Sequence, residues 1–302
     1  MHLNLTKWTG LARKLPSPVY KVLAQSQIDY EFPRHIFIET CASCNLSCAY
    51  CPREKRQENM DYELFKEIVN EANQYGPRSF SLHLFGEPLL YPKIMEAINY
   101  IKAKNKRHTI LLTTNGTVLN KFAKRLLESG VDRIIWSWRK LPVPFSSETI
   151  EVLKRIGMVR LLIEETPKEE FERWVKFPRV EVKHLHNYGG NIDVSKWGIR
   201  SVHSSEKLSQ QKETRWPCYH LWLAPAVRWN GEIVECCNLP RSGEDVLGRY
   251  GLDSTIHSVW TSTAITSLRE NHLKGIYPGK CGNCSSWQAY PSIFFKSQCS
   301  HN

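Results

Sequence analysis

The 302-residue chain has no run of about 18 consecutive apolar residues, so a membrane-spanning helix is not expected. It begins Met1-His2-Leu3-Asn4-Leu5, without the charged-then-apolar pattern of a secretory signal. It contains no internal repeat and no low-complexity tract, which excludes a solenoid or a disordered polymer as its main architecture. The stretch between Cys51 and Cys218 holds no cysteine at all. The ten cysteines fall instead into two groups, four within Cys41–Cys51 and six between Cys218 and Cys299. Disulfide scaffolds are typically short and secreted, so clustered cysteines here point to metal in a reducing compartment, and the expected location is cytoplasmic.

What is present is ordinary globular material. With 41% hydrophobic and 24% charged residues, the chain can bury the core of one large α/β domain plus a smaller appendage. The formal charge of +11 suits an anionic partner, or simply a solvated basic surface. No recognisable nucleic-acid-binding motif accompanies that charge, so nucleic acid is not the expected partner.

Residues 1–33 read as a helical extension. Leu5, Trp8, Leu11 and Leu15 keep helical spacing, Pro16 and Pro18 interrupt it, and Val19–Gln25 resumes it. Its expected place is over an open end of its own domain rather than on a membrane. From His35–Thr40 to Val180–His186, six strand-like runs alternate with helical ones. Such alternation implies a parallel sheet, and six strands are too few for a closed eight-stranded barrel. The fold class expected is therefore α/β, an open partial (β/α)6 barrel over 34–187. Working groups in such sheets sit at the carboxyl ends of the strands. Residues 188–215 read as a linker. A small α+β unit follows over 216–302, with a hairpin of Leu221–Val227 and Glu232–Cys236 turning at Asn230-Gly231, then a helix around Thr255–Glu270.

Cys44-Asn-Leu-Ser-Cys48-Ala-Tyr-Cys51 places three thiols in one loop after the first strand. Thiolates are soft ligands for zinc or iron–sulfur clusters. Three of them can hold three irons of a [4Fe–4S] cube and leave the fourth iron open to substrate. Cys41 supplies a fourth thiol, so a structural zinc site stays open on these residues alone.

Cys-x3-Cys-x2-Cys, with Tyr50 before the third cysteine and a strand just before the loop, resembles the signature of the radical S-adenosylmethionine (SAM) superfamily. Three further segments fit in order. Phe85-Gly86-Glu87-Pro88 resembles the motif that binds the SAM amino group, Thr113-Thr114-Asn115-Gly116 a segment common in the superfamily, and Ser137 the polar residue near ribose and carboxylate. The resemblance covers about residues 34–186. It implies that Cys44, Cys48 and Cys51 hold a [4Fe–4S] cluster and that Tyr50, Gly86, Glu87, Asn115, Ser137 and Arg139 contact SAM. The implied reaction is reductive cleavage of SAM to a 5′-deoxyadenosyl radical that abstracts hydrogen from substrate, fed by flavodoxin or ferredoxin. Phe85 stands where the superfamily motif has glycine, and Trp138-Arg139 depart from its usual sequence.

Cys218, Cys236, Cys281 and Cys284 form a second set, sufficient for either zinc or a second [4Fe–4S] cluster. Their arrangement resembles the twitch form of the superfamily's SPASM extension, since Tyr290 stands where the longer form continues with cysteine. That implies one auxiliary [4Fe–4S] cluster, an electron acceptor in the oxidation of a small polar, nucleotide-like or sugar-like substrate. The alternatives are epimerisation or crosslinking of a ribosomally made peptide, and a non-catalytic iron–sulfur or zinc scaffold. Cys237 is a candidate catalytic hydrogen-atom donor. Cys41 and Cys299 read as structural or free, and His184, His186 and Tyr188 as candidates to face the substrate.

Overall fold

A computed structural model describes residues 29–139, 144–197 and 217–286. Most of the expected N-terminal extension, much of the linker, Tyr290 and Cys299 lie outside these residues.

The six expected strands form. They are β1 (His35–Ile38), β2 (Ser79–Ser81), β3 (Thr109–Thr114), β4 (Arg133–Ser137), β5 (Gly157–Leu162) and β6 (Val180–Lys183). All pair in parallel with their chain neighbours. The crossovers carry helices α1 (Tyr62–Gln74), α2 (Ile94–Lys104), α3 (Leu119–Glu128), α4 (Ser147–Ile156) and α5 (Lys168–Trp174). Helix α1 shows how the sequence sets its bounds. The Asp61 carboxylate accepts from the Leu64 amide at 3.0 Å at one end, and Gly76 takes φ +84° just past the other. Between them Phe65, Ile68, Val69 and Ala72 are buried on one face, each large side chain contributing about 1.5–3 kcal/mol.

Strand alternation sorts side chains onto two faces of the sheet. Ile36, Phe80, Ile110, Leu112, Ile134, Val159 and Leu161 are buried in the main apolar core, where helix residues such as Phe65 and Ile98 join them. The intervening residues His35, Phe37, Leu111, Thr113, Met158, Arg160, Glu181 and Lys183 line a cavity.

The C-terminal segment continues this sheet. β7 (Ala226–Val227) pairs in parallel with β1, and β8 (Glu232–Val234) and β9 (Gly248–Arg249) follow antiparallel, giving the order β6-β5-β4-β3-β2-β1-β7-β8-β9. Val227, Ile233, Ile256 and Val259 belong to the same apolar core as the barrel strands. Two sequence expectations change here. Leu221–Leu223 is not strand but part of a one-turn helix, α6 (His220–Leu223), buried beside Tyr219. The expected single helix is two, α7 (Ile256–Trp260) and α8 (Thr263–Leu273). The Ser262 side chain accepts from the Ile265 amide at 3.3 Å and so starts a new helix. Among the described residues no helix is long and apolar enough to cross a membrane.

Candidate functional site

The cysteine loop leaves β1 and lies against the ends of β2 and β3. Its backbone is pinned by Arg53, whose guanidinium donates to the carbonyls of Cys44 at 3.2 Å and Leu46 at 3.1 Å. The Cys51 amide donates to the Cys48 carbonyl at 3.0 Å. Cys44, Cys48 and Cys51 all face one cavity of about 400 Å³, together with Tyr50 and Arg53. Burial raises the thiol pKa of Cys44 and of Cys51.

Gly86 is where the loop and β2's extension touch. A Cβ built on it would lie 1.9 Å from the Cys41 carbonyl oxygen and 2.9 Å from that of Ser43. Only glycine allows this approach, and it brings the Glu87 amide within 2.8 Å of the Ser43 carbonyl. The Glu87 carboxylate is buried and accepts from Thr114 Oγ1 at 2.7 Å, the Asn115 amide at 2.7 Å and the Leu89 amide at 3.2 Å. Burial raises its pKa against these hydrogen bonds. Asn115 in turn donates from Nδ2 to Asn45 Oδ1 at 2.9 Å and, more weakly, to Cys44 Sγ at 3.7 Å. Glu87 and Asn115 thus fasten the end of β3 to the cysteine loop. Arg139 lies over the Tyr50 ring at 5.4 Å and donates to Ser137 Oγ at 2.6 Å. Arg139 and Tyr50 line the cavity; Ser137 is buried behind and holds Arg139.

The second cysteine group is partly gathered. Burial raises the Cys236 thiol pKa, and the thiols of Cys237, Cys281 and Cys284 lie near enough to raise it further. Cys218 begins the C-terminal segment, and its amide donates to His272 Nδ1 at 3.2 Å. Cys237 lines the main cavity beside Asn238. Cys41 is buried, its thiol hydrogen-bonded with Ser43 Oγ at 2.8 Å. His186 and Tyr188 line the cavity, their rings 3.9 Å apart, and Phe85 packs on Tyr188 at 5.8 Å. His184 is 72% exposed and bound to Glu164, outside that cavity.

Sequence reasoning missed the rest of the wall. His35, His83, Arg160, Glu181, Lys183 and His220 all line it. The available signal was polar residues at alternate positions in parallel strands, which are otherwise apolar on both faces. Burial lowers the pKa of His35 and of His83 to about 3, His186 to about 3 and His220 to about 4. These bases protonate less readily folded than unfolded. Stability is therefore fully present above the unfolded value of 6.5 and is lost as pH falls towards the folded values. The unfolding free energy from urea titration should fall between pH 7 and pH 5, by up to about 2 kcal/mol for each such histidine. His35→Asn should flatten that slope; an unchanged slope would show that His35 titrates normally.

The residues fit the groups that the first cluster implies: three thiols of one loop facing one cavity, and a glycine where a side chain would block the approach. Among the described residues no three His, Cys, Asp or Glu side chains converge on a single metal ion. The ligand sulfurs of a [4Fe–4S] cube stand farther apart than those about one zinc, which sit about 2.3 Å from the metal.

The family model for the radical SAM superfamily matches residues 38–137. A curated relative, the tungsten-containing aldehyde ferredoxin oxidoreductase cofactor-modifying protein of Pyrococcus furiosus, is 24% identical, over 83% of this chain and 87% of its own length. Among solved structures, BtrN in complex with AdoMet and 2-DOIA aligns with a TM-score of 0.60 at 20% identity, over 83% of this chain and 92% of that one. Streptococcus suis SuiB bound to precursor peptide SuiA aligns with a TM-score of 0.61 at 15% identity, over 100% of this chain and 82% of that one. Both likenesses are of fold.

Proposed function

Since this chain is a member of the radical SAM superfamily, we propose that Cys44, Cys48 and Cys51 hold a [4Fe–4S] cluster and that the enzyme oxidises a small polar substrate. The observation that carries the reading is the three-thiol loop facing a cavity into which His35, Arg160, Glu181 and Lys183 of the strands also project among apolar neighbours. When bound, the cluster and SAM supply the 5′-deoxyadenosyl radical that takes a hydrogen atom from substrate.

The chain's own residues position and shield. Gly86 lets the backbone approach the loop, Glu87 and Asn115 fix the end of β3 against it, and Arg53 holds the loop's carbonyls. Arg139, braced by Ser137 and lying over Tyr50, offers a cation for the SAM carboxylate. Phe85 and Tyr188 close one side of the cavity with aromatic surface and exclude water there. Residues 34–187 are read as the barrel, 188–215 as a linker and 216–302 as the unit carrying the auxiliary cluster. In that unit Cys218, Cys236, Cys281 and Cys284 would hold a second [4Fe–4S] cluster that accepts the substrate's electron. Flavodoxin or ferredoxin is the proposed donor to the first cluster.

Anaerobically reconstituted protein with dithionite should convert SAM to 5′-deoxyadenosine and methionine. It should carry about eight irons per chain, falling to about four in Cys281→Ala/Cys284→Ala. Four irons in both proteins would remove the redox role of the C-terminal cysteines. No 5′-deoxyadenosine from iron-loaded protein would leave the scaffold reading.

The position of Cys237 on the cavity wall favours a second reading, in which its thiol returns a hydrogen atom to the substrate radical, one electron from the external donor and a solvent proton restore the thiol, and the net reaction is epimerisation. In the same assay, an unchanged product from Cys237→Ala would end that reading.

A further inference from the structure

We propose that Arg160 and Lys183 form an anion-binding subsite in the inner wall of the barrel, which anchors a small-molecule substrate through a carboxylate or phosphate group. The inference rests on the reading of this cavity as the substrate chamber.

The strands themselves create the subsite. Arg160 on β5 stands directly opposite Glu181 on β6, and Lys183 lies two residues along the same face of β6. All three line the cavity. Glu181 accepts from Arg160 Nε at 2.5 Å and faces Lys183 Nζ at 3.8 Å. One carboxylate therefore serves two cations, and the local charge is one positive in excess. Burial opposes ionisation of Glu181, but the charges of Arg160 and Lys183 outweigh it and hold its carboxyl below the usual value. The charge of Arg160, followed by burial, depresses Lys183.

The unused donors point the same way. Among the described residues, the Arg160 side chain makes its one hydrogen bond through Nε. Its two terminal nitrogens, the fork that grips oxyanions in pairs, remain for a ligand. The Lys183 ammonium makes no hydrogen bond at 3.5 Å or less among the described residues, and its side chain is 30% exposed. His83 adds a neutral donor. Its Nδ1 accepts from the Thr113 amide at 3.2 Å, which places the ring proton on Nε2, on a side chain that lines the cavity.

The remaining charged groups of the wall are committed elsewhere. Glu87 is held by the Thr114 hydroxyl and two backbone amides and Arg53 by loop carbonyls, while Arg139, braced by Ser137 and the Trp138 carbonyl, is the cation assigned above to the SAM carboxylate. An ion pair joining two strands needs one cation; among the described residues the second has only a share of the same carboxylate, at 3.8 Å. Because the pair is set in the wall, between strands, a compact anion reaches it more readily than a chain.

The test is calorimetric titration of the iron-loaded protein at fixed ionic strength, with inorganic phosphate, glycerol 3-phosphate and, as a neutral control, glycerol. Both anions should bind saturably and glycerol should not. Arg160→Gln and Lys183→Met should each weaken binding at least about tenfold. Glu181→Gln, which removes the competing carboxylate, should tighten it about tenfold, an effect that damage to the fold would not produce. It also keeps the test open if Arg160→Gln does not fold.

No saturable binding by the wild type, or no gain in Glu181→Gln, would overturn the subsite. So would an acidic peptide that binds more than tenfold tighter than either small anion. Iron content and SAM cleavage, measured on the same wild-type sample, judge the enzyme reading separately. A sample that cleaves SAM but ignores phosphate would sink the subsite alone.

Discussion

Replacing Cys44, Cys48 and Cys51 together by alanine is expected to abolish reductive SAM cleavage to background and to remove about four irons per chain, while leaving the fold intact. The separation of these effects follows from how the loop is held. Its anchors are backbone groups: the carbonyls of Cys44 and Leu46 that receive Arg53, and the amide of Cys51 that reaches the Cys48 carbonyl. Alanine keeps every one of them. The three thiols are only partly buried, so their loss removes little apolar packing. Far-UV circular dichroism and the urea midpoint of the apo-protein should therefore stay close to wild type while iron and 5′-deoxyadenosine disappear. Cleavage that persists in the triple variant would place the reactive iron elsewhere in the chain.

Gly86→Ala should be nearly as damaging by a purely steric route. The added methyl would meet the Cys41 carbonyl oxygen at 1.9 Å, its carbon at 2.7 Å and the Ser43 oxygen at 2.9 Å. These are backbone atoms and cannot rotate aside, so the loop must move away from the end of β2. That movement breaks the bond from the Glu87 amide to Ser43 and loosens Glu87's hold on Thr114 and Asn115. Overpacking of this kind costs about 1–3 kcal/mol, and SAM cleavage should fall more than tenfold with lower iron occupancy. Gly76→Ala is the contrasting control. At φ +84°, with no atom within 4 Å, it strains the backbone without touching the site. It should lower stability by about 1–2 kcal/mol and leave iron content unchanged. Equal behaviour of the two variants would mean that close approach at Gly86 does not govern the site.

The six barrel strands and the cysteine loop were legible because each depends on local pattern. Six alternations of apolar runs with helical spacing leave few topologies. Asp61 and Ser146 mark helix starts that sequence shows directly. Glu87 and Asn115 were legible as residues, but not as a clasp between two loops, since their partners, the Thr114 hydroxyl and Asn115 amide for Glu87 and the Asn45 side chain for Asn115, lie in segments distant from them in sequence. Arg160, Glu181 and Lys183 were illegible for a different reason. Alternating polar residues in a short strand describe a solvent face and a cavity face equally well, and only closure of the sheet distinguishes them. Leu221–Leu223 misled because a short apolar run carries no period of its own.

The pairing of β7 with β1 bears on how the protein is made. The Trp229 amide reaches Glu39 across 190 positions of chain, and β1 finds its second neighbour only in Ala226–Val227. During synthesis the strand that carries the cysteine loop therefore waits, with one edge bare, until Val227 has left the ribosome. A nascent barrel stopped before that point would present an open template for pairing with another chain, and iron delivered to it would meet a loop whose supporting strand is still half-partnered. Loading of a cluster is therefore expected only after β7 has paired, and a truncation ending before β7 is expected to aggregate rather than to yield a smaller enzyme.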